Sequence, residues 1–293
     1  MFKHFEQRRI DISQGVTIHA RIGGNGPALL LLHGHPQTHV MWHRIVNQLV
    51  NRFTVVCADL RGYGDSSRVP AGLDCVAYSK REMANDMVVL MSRLGFERFK
   101  IGAHDRGARV AHRLALDHPD CVESMFLLDI APTLAMYEGT SNDFARAYWH
   151  WFFLIQPFPM PERLIEADPV AYVREVMGRR HAGLAAFSPL ALAEYERCIS
   201  IPGSAESICS DYRASAGVDL AHDRTDQNTG KRVNVPLRVL WGSEGAVGRC
   251  FDVLALWRDV ASDVSGRPLK CGHYLAEEMP EDVLSEMLDF FNS

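Results

Sequence analysis

The chain has 293 residues, 47% hydrophobic and 23% charged, with a formal net charge of -5. That balance suits a globular enzyme with one sizeable core and leaves no surplus of positive charge for nucleic acid. Its seven cysteines are an odd, scattered set without C-x-x-C or zinc-type spacing, which excludes a disulfide framework and points to a reducing, cytoplasmic setting.

Taken in chain order, Met1 to Arg9 runs into polar sequence without the apolar stretch of a secretory signal, and no later run is long enough to span a membrane. Ala28 to Leu32 is the first clear strand run, followed by His33-Gly34-His35-Pro36. Phe53 to Ala58 is the second, ending at Asp59-Leu60-Arg61-Gly62-Tyr63-Gly64. Phe99 to Gly102 leads into Ala103-His104-Asp105-Arg106-Gly107, and Met125 to Leu128 leads into Asp129. From about Thr133 to Asn228 no strand-like run occurs, while aromatics and helix formers are plentiful. Pro236 opens a fifth run, Leu237 to Trp241, and a helix from Glu281 to Phe290 closes the chain. Short apolar runs alternating with helical periodicity predict a mostly parallel sheet flanked by helices. The expected division is a core of residues 1–132 and 229–293, with residues 133–228 as a helical cap over the strand ends, where open sheets bind ligands.

The segment around Asp105 has the layout of a nucleophile elbow: a strand, a polar residue between small neighbours, then helix-forming sequence. Small residues are needed because the central residue is strained and its side chain stands clear of the sheet. Ala103 stands where Gly is more usual. Taken alone, Asp105 would serve equally well as a helix cap. Three features favour the elbow: a loop after the first strand run, suited to an oxyanion-hole donor; carboxylates after later strand runs; and a late histidine, His273, beside Gly272. The chain order nucleophile, acid, histidine belongs to the α/β-hydrolase fold. A carboxylate nucleophile displaces leaving groups from saturated carbon and becomes an ester that activated water hydrolyses, so carbon–halogen bonds and epoxides are its targets.

The segments His33 to Gln37, Asp59 to Gly64, His104 to Arg109, Leu128 to Thr133, Tyr148 to Trp151, Asp211 to Ala214 and Gly272-His273 resemble the haloacetate dehalogenases, and among them the fluoroacetate dehalogenases. The resemblance covers nearly the whole chain. It implies hydrolysis of a small 2-haloacid to the 2-hydroxy acid and halide, without cofactor or metal, by a homodimer. Its specific parts are Arg106, where related epoxide hydrolases and haloalkane dehalogenases usually carry Trp, and the His150-Trp151 pair. Arg106 and Arg109, three apart on one helix, are then the expected clamp for the substrate carboxylate. His150, Trp151 and Tyr212 offer donors for a departing halide, while Trp149, Phe152 and Phe153 are left as packing. The backbone N–H groups of His35 and Arg106 would form the oxyanion hole; the family usually has Phe where this chain has His35. His273 is the expected base. Position alone leaves Asp129 and Glu244 open as its acid, and the resemblance selects Asp129.

Two other readings bear on the same residues. An epoxide hydrolase would share Asp105 and His273 and use Tyr212 on the leaving oxygen, but would give Arg106 and Arg109 no purpose. A metal site is suggested by His35, His39 and His43 recurring every four residues. Pro36 interrupts that helix, and no nearby Cys or carboxylate completes the set.

Overall fold

The computed structural model describes residues 1–72 and 74–292. A hairpin of β1 (Glu6–Ser13) and β2 (Val16–Gly23) precedes β3 (Ala28–Leu32), β4 (Thr54–Ala58), β5 (Phe99–His104), β6 (Val122–Leu128), β7 (Leu237–Gly242) and β8 (Val264–Leu269). The eight strands found among the described residues form one sheet in the order β1-β2-β4-β3-β5-β6-β7-β8, antiparallel at β1/β2 and β2/β4 and parallel elsewhere. This is the α/β-hydrolase fold expected from the sequence. Every residue of β3 is buried, with Leu30 and Leu32 in the core on one face and Leu29 and Leu31 in the core on the other. A parallel strand covered on both faces by helices reads as such a continuous apolar run. Each of those leucines contributes roughly 1.5–3 kcal/mol on burial.

The sequence reading missed β1, β2 and β8. β1 is largely exposed and rich in charge; β2 carries His19 and Arg21; β8, at the far edge, contains Gly266 and Pro268, which argue against a strand. Edge and near-edge strands are paired or covered on fewer sides, so their apolar signal is weaker. The closing helix runs Pro280–Asn292, slightly beyond the expected bounds.

Between β6 and β7 the chain is helical, from Thr133–Glu138 through Trp149–Leu154, Pro169–Gly178 and Ser204–Ala216 to Val218–Thr229. Ordinary caps set several of these boundaries: Asp168 accepts from Ala171 N–H and Ser188 from Ala191 N–H. No helix among the described residues is long and apolar enough to cross a membrane. The strand order creates the place for a site. β3 and β5 are neighbours, yet the chain leaves β3 toward β4 on one side and β5 toward β6 on the other. Their carboxyl ends therefore flank the crevice where open α/β sheets bind ligands, and the segments there are Gly34-His35 and His104-Asp105.

Candidate active site

Asp105 is the first residue of the helix Asp105–Asp117, directly after β5. Its φ of +44° is left-handed, a conformation that costs a non-glycine residue about 1–3 kcal/mol and persists where the surroundings over-determine it. The neighbouring glycines show how tight the turn is. A Cβ on Gly34 would lie 2.6 Å from Asp105 Cβ, and one on Gly107 would lie 2.5 Å from the His33 carbonyl oxygen, which accepts the Gly107 N–H at 2.9 Å. The His35 N–H donates to Asp105 Oδ1 at 3.1 Å. Arg106, second in the helix, has no carbonyl one turn back within that helix for its own N–H. Burial works against the Asp105 charge, but His273, His104, Arg106 and Arg109 outweigh it and hold the carboxyl well below the usual carboxylate range.

His273 Nδ1 lies 2.6 Å from Asp129 Oδ2. Asp129 sits just past β6, also left-handed at φ +47°, and its Oδ1 accepts the Gly242 N–H at 2.9 Å. Burial lowers His273 to about 3, with the Arg180 charge adding to the effect; it raises the Asp129 carboxyl to about 7, offset in part by the Gly242 N–H. The imidazole is thus neutral at ordinary pH, with one nitrogen committed to Asp129. Glu244 is half-buried on the loop after β7, its N–H bonded to the Cys271 carbonyl. Of the two acids left open by position, Asp129 is the one beside the histidine.

Arg106 and Arg109 both point into the buried interior. Asp211, on the helix Ser204–Ala216, grips Arg106 from two sides: it accepts from Nε at 2.9 Å and from Nη2 at 2.7 Å, while Ser215 takes a further Nη2 bond. Asp211 also pairs with Lys80 and accepts from the Tyr63 hydroxyl at 2.7 Å. Burial opposes the Arg106 charge, yet Asp211 and its other neighbours keep its pKa above the ordinary value. Arg109 bonds the Thr133 hydroxyl and the Met136 sulfur, with its guanidinium 4.6 Å from the Trp151 ring. One donor of each, Arg106 Nη1 and Arg109 Nε, is buried without a partner among the described residues. Asp211 was cited in the sequence only as part of a motif; an acid one residue before a tyrosine on a helix carries no signal that it orients an arginine 105 positions away.

His150, Trp151 and Tyr212 are all buried. Among the described residues the Trp151 indole N–H and the Tyr212 hydroxyl have no hydrogen-bond partner, and the Arg106 guanidinium lies 4.1 Å from the Tyr212 ring. Burial keeps His150 neutral, well below its usual range. His35 joins this group through its side chain: its ring stacks on His150 at 6.2 Å and meets Tyr212 edge-on at 5.3 Å, while Nε2 bonds the Tyr172 hydroxyl at 3.0 Å. The site wall is therefore polar where a phenylalanine would be apolar. Trp149, Phe152 and Phe153 pack, partly buried, against the core.

The recurring histidines do not share a helix face. His35 serves the site, His43 Nδ1 bonds the Val40 carbonyl, and His39 meets a carboxylate the sequence reading did not supply. Asp59 accepts from the His39 ring and backbone N–H at Oδ1 and from His19 Nδ1 and the Asp65 N–H at Oδ2, all at 2.8–3.1 Å. The atoms of His19, His39 and Asp59 lie within 4.8 Å of one another, but both Asp59 oxygens are spent on these hydrogen bonds, which tie β2 and the loop after β3 to the turn after β4. A Cβ on Gly64 would fall 2.2 Å from that carboxylate, which accounts for the glycine in the Asp59 to Gly64 motif.

The sequence matches the family described as alpha/beta hydrolase fold over residues 27–174. It is 43% identical to a fluoroacetate dehalogenase of Burkholderia sp, across 100% of this chain and 95% of that one. It is 34% identical to a soluble epoxide hydrolase of Corynebacterium sp. (strain C12), across 94% of each. A crystal structure from Nostoc sp PCC 7120, assigned to the α/β hydrolases, superposes with a TM-score of 0.95 at 53% identity and covers 99% of both chains. With the elbow, the strand order and these likenesses together, the chain belongs to the α/β-hydrolase superfamily and, within it, to the haloacetate dehalogenase family.

Proposed function

We propose that the protein hydrolyses small 2-haloacids, haloacetates and fluoroacetate among them, to the 2-hydroxy acid and halide. The observation that carries this reading is the set of unpartnered donors around Asp105. Among the described residues, Arg106 Nη1 and Arg109 Nε are buried cations' N–H groups with no partner, and Trp151 Nε1 and Tyr212 OH are buried neutral donors in the same state. Leaving such groups unsatisfied costs about 1–3 kcal/mol each; Arg106, Arg109 and Tyr212 lie within electrostatic reach of Asp105 and Trp151 packs under Arg109, which suits a ligand with an anionic end and a second acceptor. A haloacid supplies both.

In the first step Asp105 Oδ2 attacks the carbon bearing the halogen, since Oδ1 is held by the His35 N–H. The carbon–oxygen bond forms as the carbon–halogen bond breaks, and the halide takes the electron pair. Arg106 and Arg109 hold the substrate carboxylate, bringing the carbon to the nucleophile. His150, Trp151 and Tyr212 donate to the departing halide in place of water, a contribution that matters most for fluoride. In the second step the free nitrogen of His273 takes a proton from water, and hydroxide adds to the Asp105 ester carbonyl. The resulting oxyanion is held by the N–H groups of His35 and Arg106, while Asp129 stabilises the imidazolium. Collapse expels the hydroxy acid as alkoxide, which takes the proton from His273, and leaves Asp105 as the acid; its proton passes to solvent, balancing the halide released, and the carboxylate is restored. No cofactor or metal enters the scheme, and the homodimer implied by the family is part of the proposal, open to light scattering in solution.

The unpartnered Tyr212 hydroxyl and the 34% identity to an epoxide hydrolase favour a second reading, epoxide opening by the same Asp105. Halide release from fluoroacetate and chloroacetate, measured beside diol formation from styrene oxide, decides between them. Halide release is expected; diol formation without it would overturn the proposal.

A further inference from the structure

A third cation reaches the site from the helical insertion. Arg180 follows the helix Pro169–Gly178 and is half-buried, its guanidinium 4.5 Å from the Tyr148 ring. Tyr148 in turn packs beside His150 and His273, ring centroids 5.4 and 6.1 Å away. The buried arginines Arg61, Arg106 and Arg113 are each tied to an aspartate at 2.5–2.7 Å. Arg180 forms no such pair among the described residues, and the acids whose charge it feels are Asp105 and Asp129. A cation drawn partly out of water with neutral tyrosines against it is unfavourable unless something else uses its charge.

The surroundings of Arg180 suggest that use. A recess of about 210 Å³ is lined by Arg179, Arg180, His181, Glu244, Arg249 and His273, so one cavity touches both surface arginines and the expected base. Arg179 and Arg249 are exposed; Arg179 pairs with Glu175 outside the recess, and Arg249 donates to the Glu244 carbonyl, which leaves three arginines against one carboxylate in its lining. Clefts lined by one sign of charge concentrate small ions of the other. A neutral substrate would gain nothing from such a lining.

We propose that Arg180 is the inner gate of an entry passage for small carboxylates: it receives the carboxylate in the recess and transfers it to Arg106 and Arg109 beside Asp105. The inference rests on the haloacid reading of the site. Arg180 is then a specificity-determining residue, distinct from those that touch the reacting atoms. It is held by the Tyr148 ring and by a polar contact to the Tyr274 hydroxyl, and among the described residues no ion pair has to break when it swings.

The test compares the wild type with Arg180→Gln and Arg180→Lys. For chloroacetate, Arg180→Gln is expected to lower kcat/KM about tenfold, as loss of a steering charge does, with kcat nearly unchanged and the dependence on ionic strength flattened. Chloroacetamide, the neutral analogue, is expected to react with both proteins alike, and Arg180→Lys to retain most of the wild-type rate. Equal losses on both substrates, or an unaltered salt dependence, would overturn the gate. Titration with acetate, followed by tryptophan fluorescence, separates this inference from the haloacid reading. If the wild type turns over neither haloacid, the proposed reaction fails, and weaker acetate binding by Arg180→Gln still supports the passage. Equal acetate binding, or none in the wild type, ends it.

Discussion

Replacing Asp211 by Asn keeps the shape of the side chain and removes the charge that faces Arg106 and Lys80. All three groups are buried, and removing one partner of a buried ion pair costs about 3–5 kcal/mol. The loss falls at the lower end, near about 3 kcal/mol, because Asp219 still stands 3.9 Å from the Lys80 ammonium, whose charge burial already disfavours. At roughly 2.1 cal/mol/K of unfolding entropy per residue, applied to 293 residues, Tm drops by about 5 °C. The catalytic consequence is separate. Arg106 loses the bidentate grip on Nε and Nη2, so its free Nη1 is no longer aimed at the substrate. KM for chloroacetate is expected to rise about tenfold, worth about 1.4 kcal/mol, with a smaller change in kcat. Thermal melting and steady-state halide release measure the two effects. Lys80→Met, which leaves the Arg106 pair in place, is the control and should keep the wild-type KM. A variant that melts lower but binds haloacid as tightly as the wild type would refute the assignment of Arg106 to the substrate carboxylate.

Three further outcomes are expected. His273→Asn should release one equivalent of halide and stop, with the Asp105 ester visible by intact-protein mass spectrometry; steady multiple turnover would remove His273 from its role. The ester-hydrolysis step should fall as pH drops through about 7, because burial raises the Asp129 carboxyl to that value and only its ionised form supports the imidazolium, while His273, lowered to about 3, remains a neutral base. Pre-steady-state assays from pH 5 to 9 check this limb, and its persistence in Asp129→Asn would refute the cause. Trp151→Phe removes one unpartnered donor and should slow fluoroacetate more than chloroacetate, since fluoride depends more on hydrogen bonds as it leaves; equal slowing in single-turnover halide release would count against halide contact.

What the sequence disclosed follows from how many sides of an element are enclosed. β3 to β7, covered on both faces, appear as apolar runs, and the elbow appears because its strain demands small neighbours at fixed offsets. β1 and β8 do not appear, since an exposed strand such as Glu6–Ser13 obeys no strong apolar pattern. The same logic divides the site. Asp105, Asp129 and His273 follow strand ends or a late loop, places with a positional signature. Asp211 and Arg180 meet groups distant in the chain, and those surroundings exist only once the helices pack. His35 lies between these cases: the approach of its backbone to Asp105 was legible from the loop, whereas its ring, stacked on His150 and bonded to Tyr172, was not.

The contact between the His35 N–H and Asp105 Oδ1 makes the two carboxylate oxygens unequal. In the proposed cycle the oxygen that attacks departs inside the hydroxy acid, and the one in the hydrogen bond stays. The vacancy is filled by the oxygen of the hydrolytic water, in the position from which the next attack is made. Each product molecule then carries the oxygen of the water that closed the preceding turnover, and the protein keeps a one-cycle memory of its solvent while Oδ1 persists from one substrate to the next.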